Sequence, residues 1–288
     1  MNMKEKLTRE QFNVLESLAT GGQGAFQADE GTLSELSRLG YVRDGDITAL
    51  GYDALEPYRV KRAVFIAAGF GTRLVPVTLN TPKPLVRVRG KRLIDGLLDA
   101  VLAEGIQEIY IVRGYLAEQF DQLLYKYPML KFIENPAYNE SNNISSAMCA
   151  RYHLSNAYVF EADLLIHNPK IIRKYHYASN CLGIWKARSD DWCFTVKDGI
   201  IVSQQVGGLD CFQEAGISYW DDADGRKLSE DLKIAYEMPG GKERFWDQVV
   251  FTVFPERYQV EIRECSESDI TEIDTFKELK AIDQAYAV

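Results

Sequence analysis

Residues 62–74 read Arg-Ala-Val-Phe-Ile-Ala-Ala-Gly-Phe-Gly-Thr-Arg-Leu, a short apolar run that breaks into a glycine-rich turn. A continuous apolar run of this length is expected for a strand buried on both faces. Moving outward, further apolar strands are expected at 108–112, 131–133 and 157–160, with helices at 93–104 and about 116–127. Strands alternating with helices imply an α/β domain with a mainly parallel sheet and right-handed crossovers. Ligands in such sheets lie beyond the carboxyl ends of the strands. The turn at 67–74 and the end of the 157–160 strand are therefore the places expected to carry chemistry.

Within the turn, Gly69 and Gly71 let the backbone approach phosphate oxygens and present N–H groups to them. Arg73 adds a fixed charge with a fork of donors. No Gly-Lys-Ser/Thr follows at Walker spacing, and Leu74 stands where a dinucleotide fingerprint has its third glycine. A GxG alone also fits a structural turn. The stretch continues through Pro76 to Asn80-Thr81-Pro82-Lys83-Pro84-Leu85-Val86, giving AAGxGTRLxPxTxNTPKPLV. This resembles the signature of the sugar-phosphate and choline-phosphate nucleotidyltransferases. The resemblance implies a Rossmann-like sheet with helices on both faces, of the nucleotide-diphospho-sugar transferase type. It also implies that Ala67, Ala68, Gly69, Gly71, Thr72 and Arg73 hold a nucleoside triphosphate. Lys83 would contact the reacting phosphates and the acceptor, making Arg73 and Lys83 the catalytic cations.

Nucleotidyl transfer needs charge neutralisation and in-line positioning more than covalent help. Magnesium is satisfied by one or two aspartates. Glu161-Ala162-Asp163 follows the 157–160 strand, and the resemblance makes Asp163 a metal ligand, with Glu161 replacing the first acid of the related DAD pattern. Asp274, in Glu272-Ile273-Asp274, matches the late metal-binding aspartate. Read from the sequence alone, Asp274 equally fits an N-cap for a helix over 276–285.

The segment Tyr138-Asn139-Glu140-Ser141-Asn142-Asn143-Ile144-Ser145-Ser146 is similar to an element of bacterial choline-phosphate cytidylyltransferases of the LicC type. Asn142, Asn143 and Ser146 would read the nucleotide or line the acceptor pocket; a polar loop that caps a helix is the alternative. Three aromatic–acid segments, Asp191-Trp192, Tyr219-Trp220-Asp221 and Phe245-Trp246-Asp247 with Glu243 upstream, match elements of the same group. A trimethylammonium head is bound by aromatic faces, so Trp192, Trp220, Glu243, Phe245, Trp246 and Asp247 are expected at the acceptor. Ordinary aromatic core is the alternative. The implied reaction is CTP plus phosphocholine giving CDP-choline and pyrophosphate. A sugar-1-phosphate nucleotidyltransferase, a cytidylyltransferase for another small phosphorylated acceptor, and a ligand-sensing regulator are the rivals.

The formal charge of −9 over 288 residues argues against a general nucleic-acid or anionic-membrane binder. The five scattered cysteines form no CxxC pair, so neither zinc nor a disulfide framework is expected. No apolar h-region or membrane-length run appears, so a cytoplasmic protein without membrane insertion is expected. Nothing in the sequence assigns an oligomeric state, and a homodimer is compatible with it. Residues 1–60 read differently from 61–288. Helical spacing of Phe12, Leu15 and Leu18 after Thr8, a break at Gly21-Gly22-Gln23-Gly24, a helix carrying Leu33, Leu36 and Leu39, a hairpin around Asp44-Gly45-Asp46 and a last helix from Leu50 resemble a winged helix-turn-helix module. The span before Thr32 is short for that motif, and six basic residues are outnumbered by ten acids. A packing, dimerisation or regulatory appendage fits better than a DNA binder.

Overall fold

The computed structural model describes residues 6–21 and 30–287; most of the glycine-rich break at 21–24 and the first five residues lie outside them. The chain divides into two compact units. The first comprises residues 1–59 joined by Tyr175–Tyr177. The sequence reading put its end at 60 and left Tyr175–Tyr177 in the large domain. Helix α1 (Arg9–Thr20) begins in a reciprocal capping box between Thr8 and Gln11 and ends at Gly21 in the left-handed conformation. Helix α2 (Glu30–Arg38), the hairpin β1 (Val42–Arg43) and β2 (Asp46–Ile47), and helix α3 (Ala49–Leu55) follow. Leu15, Leu36 and Leu55 are fully buried at the centre. Tyr58 stacks on Tyr177 at 5.6 Å, which explains why the distant tyrosine segment belongs to this unit.

The second unit comprises Val60–Lys174 and Ala178–Val288. In chain order it contains β3 (Arg62–Ile66), the two-residue strands β4 (Arg87–Val88) and β5 (Lys91–Arg92), α4 (Leu93–Ala103), β6 (Glu108–Arg113), β7 (Lys131–Glu134) and α5 (Ile144–Ala150). Then come β8 (Ala157–Glu161), β9 (Leu164–Ile166), β10 (Asn180–Lys197), β11 (Ile200–Trp220), α6 (Asp222–Glu237), β12 (Glu261–Cys265), β13 (Ile270–Glu272) and α7 (Phe276–Ile282). The seven-stranded sheet runs β10-β12-β11-β8-β3-β6-β7. Its β8-β3-β6-β7 part is parallel, as is β10–β12; β11 joins β8 antiparallel. Alternate side chains of β3 feed opposite faces: Ala63 and Phe65 pack with α4 residues, and Val64 packs with residues of α5 and α6. Both faces are thus covered, as the mainly parallel α/β reading requires. Among the described residues, no helix is long and apolar enough to cross a membrane.

Two expected elements differ. The segment at 116–127 forms 3₁₀ turns over Ala117–Tyr125 rather than an α-helix. Its buried pair, Phe120 and Leu123, is three residues apart, the spacing that a 3₁₀ helix aligns. The C-terminal helix stops at Ile282, and Asp283 caps a separate 3₁₀ turn.

Strand β11 ends at Trp220, whose ring is fully buried, whose indole N–H donates to Ser218 Oγ at 2.9 Å, and which meets Trp246 edge-on at 6.0 Å. Trp246 is itself buried in the same core. Trp220→Ala is expected to cost about 3–5 kcal/mol of stability, measured by urea unfolding. Trp220→Phe should cost less and leave the KM of every substrate unchanged.

Candidate active site

The turn after β3 is held from three sides. Ala67 N–H donates to Val112 C=O, Tyr115 N–H donates to Ala68 C=O, and Thr78 Oγ1 donates to Gly71 C=O at 2.8 Å. The two glycines are needed for different reasons. Gly71 has φ +61°, and a β-carbon there would lie 3.0 Å from Lys83 Cβ and 3.1 Å from Thr78 Cγ2. Gly69 has nothing within 4 Å of its missing β-carbon. The fold therefore requires Gly71, whereas Gly69 leaves open space for a ligand to reach the backbone.

That space belongs to a cavity of about 360 Å³ lined by the whole turn from Ala67 to Arg73, by Lys83, by the Asn142–Ser146 segment and by Asp163 and Asp274. The ammonium of Lys83 donates to Asp163 Oδ2 at 2.7 Å and to Asp274 Oδ1 at 2.9 Å. Arg73 donates to the same Asp274 oxygen at 2.6 Å. Burial pushes the Lys83 ammonium down, but the facing charges of Asp163 and Asp274 outweigh it, so its pKa ends above the ordinary lysine value. For Asp274, burial raises and Lys83 then lowers; the net is a carboxylate below its usual range. Asp274 is not a helix cap: Thr275 caps α7, in a capping box with Glu278.

Two Glu-x-Asp segments meet here. Ile273 N–H donates to Asp163 C=O at 3.2 Å, which sets Glu161-Ala162-Asp163 beside Glu272-Ile273-Asp274. Among the described residues, Glu161, Asp163 and Glu272 form one carboxylate group whose oxygens lie within 4.8 Å of one another; Asp191, Glu272 and Asp274 form another. Burial, then the charge of Asp163, pushes Glu161 up to about 8 and Glu272 up to about 10. Asp163 Oδ1 is buried without a hydrogen-bond partner. Crowded hard oxygens with an orphaned acceptor fit a small divalent cation. Glu272 has no role in the sequence reading, although its two-residue spacing from Asp274 repeats that of Glu161 and Asp163.

Other expected residues are placed differently. Asn142 and Asn143 line the cavity, yet their side chains bind a neighbouring segment. Asn142 Nδ2 donates to Glu243 C=O at 3.1 Å, and Asn143 Oδ1 accepts from Trp246 N–H at 2.9 Å. Ser146 is buried and accepts from Asn135 Nδ2 at 3.0 Å, a contact the sequence reading missed. Trp220 and Trp246 are buried core residues, clustered with residues of α5 and α6, and their rings meet each other and, for Trp220, Tyr258. Asp247 is buried behind the site, where Gln204 donates to it. Burial raises the pKa of Asp247 and raises that of neighbouring Glu214 further. The Glu243 carboxylate is exposed, and only its backbone faces Asn142. Trp192 and Phe245 are partly exposed and meet edge-on at 5.6 Å. Aromatic surface that the sequence reading did not assign stands at the cavity itself: Phe70 packs against Tyr115 at 5.1 Å and Tyr138 at 5.4 Å.

A second cavity, of about 310 Å³, shares Asp274 with the first. Asp191, Glu214, Glu267, Glu272 and Glu278 line it, against Lys186 alone among cations. Among the described residues, no aromatic side chain lines it. Lys186 is paired with Glu267, and Glu278 is engaged in the α7 capping box. Asp191 is exposed.

The sequence profile of the nucleotidyl transferase family matches residues 62–181. A 2-aminoethylphosphonate cytidylyltransferase of Lancefieldella rimae is 36% identical over 228 residues, covering 78% of this chain and 92% of that protein. The chain belongs to the nucleotidyltransferase family. A choline-phosphate cytidylyltransferase of Streptococcus pneumoniae is 32% identical to this nucleotidyltransferase over 231 residues, covering 77% of this chain and 97% of that one. The solved CTP:phosphocholine cytidylyltransferase of Streptococcus pneumoniae superposes with a TM-score of 0.73 at 30% identity, covering 79% of this chain and 99% of that one. For this nucleotidyltransferase, Gly69→Ala should leave stability within about 1 kcal/mol, because the position is open and its φ is unexceptional. The KM for nucleotide should rise several-fold. Gly71→Ala should lose about 1–2 kcal/mol, from its left-handed backbone, before any effect on binding. Thermal unfolding and nucleotide titration of both variants separate the two roles.

Proposed function

We propose that the chain transfers a cytidylyl group from CTP to a small phosphonate or phosphate monoester bearing an ammonium head, releasing pyrophosphate. The acid-lined cavity opening off Asp274 carries this reading. A primary ammonium offers three N–H donors to carboxylates. A trimethylammonium offers none and prefers aromatic faces. With Trp220 and Trp246 in the core and no aromatic ring in that cavity, the chemistry favours a primary amine. The acceptor named for the Lancefieldella rimae relative, 2-aminoethylphosphonate, is of this kind. Phosphocholine is the second reading, favoured by Trp192 and Phe245 beside Asp191.

The triphosphate would lie against the open backbone at Gly69, with Phe70 and Tyr138 offering aromatic surface suited to a pyrimidine ring. An anionic acceptor oxygen forms a bond to the α-phosphorus while the bond to the pyrophosphate oxygen breaks, and pyrophosphate leaves on the opposite side. The attacking oxygen is ionised at neutral pH, so no general base is required. Arg73 and Lys83 would stabilise charge that grows on the phosphoryl oxygens and leaving group. Asp163, Asp274 and Glu272 would hold magnesium, whose chemistry here is charge neutralisation. Asp191, at the far side of Asp274, would receive the ammonium head.

Pyrophosphate release over a matrix of nucleotides and acceptors tests this. CTP with 2-aminoethylphosphonate should exceed CTP with phosphocholine in kcat/KM by tenfold or more; the reverse order would establish the second reading. No release with either acceptor would sink both readings. Asp163→Asn should lower kcat about 10³-fold with an unchanged circular-dichroism spectrum. Asp191→Asn should raise the acceptor KM about tenfold and leave the CTP KM unchanged.

A further inference from the structure

Asp191 sits on a β-bulge. Between Ser189 and Trp192 strand β10 advances three residues while β11 advances two, from Gly208 to Val206. Such a bulge takes a residue out of the ladder and re-aims its side chain. The backbone of Asp191 is bonded off the ladder instead. Its N–H donates to Ser189 Oγ at 3.1 Å, and its C=O accepts from Cys193 Sγ at 3.3 Å. Each oxygen of its carboxylate then receives a donor: Oδ1 from Trp192 N–H at 2.8 Å, and Oδ2 from Gln213 Nε2 at 3.5 Å. Gln213 is fixed in turn. Its strand position is paired with Ile184 and with Cys193, and its Oε1 accepts from the buried Ser189 hydroxyl at 3.2 Å. Turned the other way, the amide would set Oε1 against a carboxylate oxygen, two acceptors face to face. Ser189, Gln213 and Asp191 therefore close a ring of three hydrogen bonds, and both Gln213 and Asp191 line the acid-rich cavity.

The ring answers a problem of like charges. Oxygens of Asp191, Glu272 and Asp274 lie within 4.8 Å of one another, and Asp191 is the exposed member of the three. An exposed carboxylate repelled by two others relaxes by rotating into solvent, where several rotamers are open to it. A neutral donor on its far oxygen holds it in place without adding charge. We infer that Gln213, locked by Ser189, is the positioning residue that keeps Asp191 turned into the cavity for the ammonium head of the acceptor. The inference rests on the acceptor role proposed above for Asp191. Gln213 touches neither the triphosphate turn nor Asp163, so its contribution is confined to recognition of the head. Orienting the carboxylate before the acceptor arrives removes an ordering cost from binding.

Steady-state kinetics of the full chain with CTP, Mg²⁺ and 2-aminoethylphosphonate tests the assignment, with ethylphosphonate, which lacks the amine, as a competitive inhibitor. Gln213→Leu removes both polar ends of the amide and keeps most of its bulk. It should raise the acceptor KM about three- to fivefold. The kcat, the CTP KM, the Mg²⁺ half-saturation and the ethylphosphonate Ki should not move. Added to Asp191→Asn, it should raise the acceptor KM no further. Ser189→Ala unlocks the amide from behind, should act in the same sense more weakly, and keeps the test open if Gln213→Leu fails to fold. Equal weakening of both phosphonates, a shifted Mg²⁺ half-saturation, or a full additional rise on top of Asp191→Asn would overturn the assignment. If Asp191→Asn raises the acceptor KM and neither Gln213→Leu nor Ser189→Ala does, the assignment falls and the proposed function stands. If Asp191→Asn leaves that KM unchanged, or 2-aminoethylphosphonate is not turned over, the acceptor role of Asp191 falls and the assignment with it.

Discussion

The Lys83 ammonium between Asp163 and Asp274 is the contact on which the site depends. It joins the end of the β3 loop region, the end of β8 and the segment before α7 through one buried cation. Without it, Asp163 would lose its ion-pair partner and Asp274 would keep Arg73, beside the glutamates of the same cluster. The raised pKa values of Glu161 and Glu272 record the same strain from the acidic side: each is buried beside Asp163, and each holds its proton more tightly as a result. The cluster holds more acid than the cations paired with it offset, an arrangement poorly suited to stability for its own sake and consistent with the metal-assisted reaction proposed above.

The rest of the fold supplies that contact with rigid ends. Parallel strands β3 and β8 are paired along their full length, so the loop after one and the acid segment after the other emerge side by side. The Gly71 conformation then turns the chain so that Thr78 can hold it and Lys83 can pack beneath it. The antiparallel ribbon β9–β13 brings the second Glu-x-Asp segment alongside the first. Each device is local, and together they place groups from three regions within hydrogen-bond reach.

The parts legible in the sequence were those whose geometry is written in short stretches. The glycine turn, the parallel strands and the two aspartates follow from local pattern, and the family resemblance pointed to Lys83, which the structure sets against both aspartates. The long β10–β11 hairpin had a local signal too, Asp198-Gly199 between Val196-Lys197 and Ile200-Ile201 with both turn residues at positive φ. Trp220 and Trp246 differ from the acceptor role expected of them because a tryptophan beside an aspartate looks alike in a core and in a cage. Their burial in one cluster with residues of α5 and α6 distinguishes them. Likewise Gln204, Glu214 and Asp247 come together only through long-range pairing.

The pairing of Arg73 and Lys83 with Asp274 spans 201 and 191 residues of chain. A polypeptide emerging from the ribosome therefore exposes its glycine turn and first aspartate long before the second aspartate exists to face them. During that interval the sheet core of β3, β6, β7 and β8 has its sequence in hand, but the carboxylate cluster is half assembled. The segment that runs from β12 to α7 is the last part of the cluster to be made. The same order makes this late segment the natural place for damage or cleavage to silence the protein while leaving most of it intact.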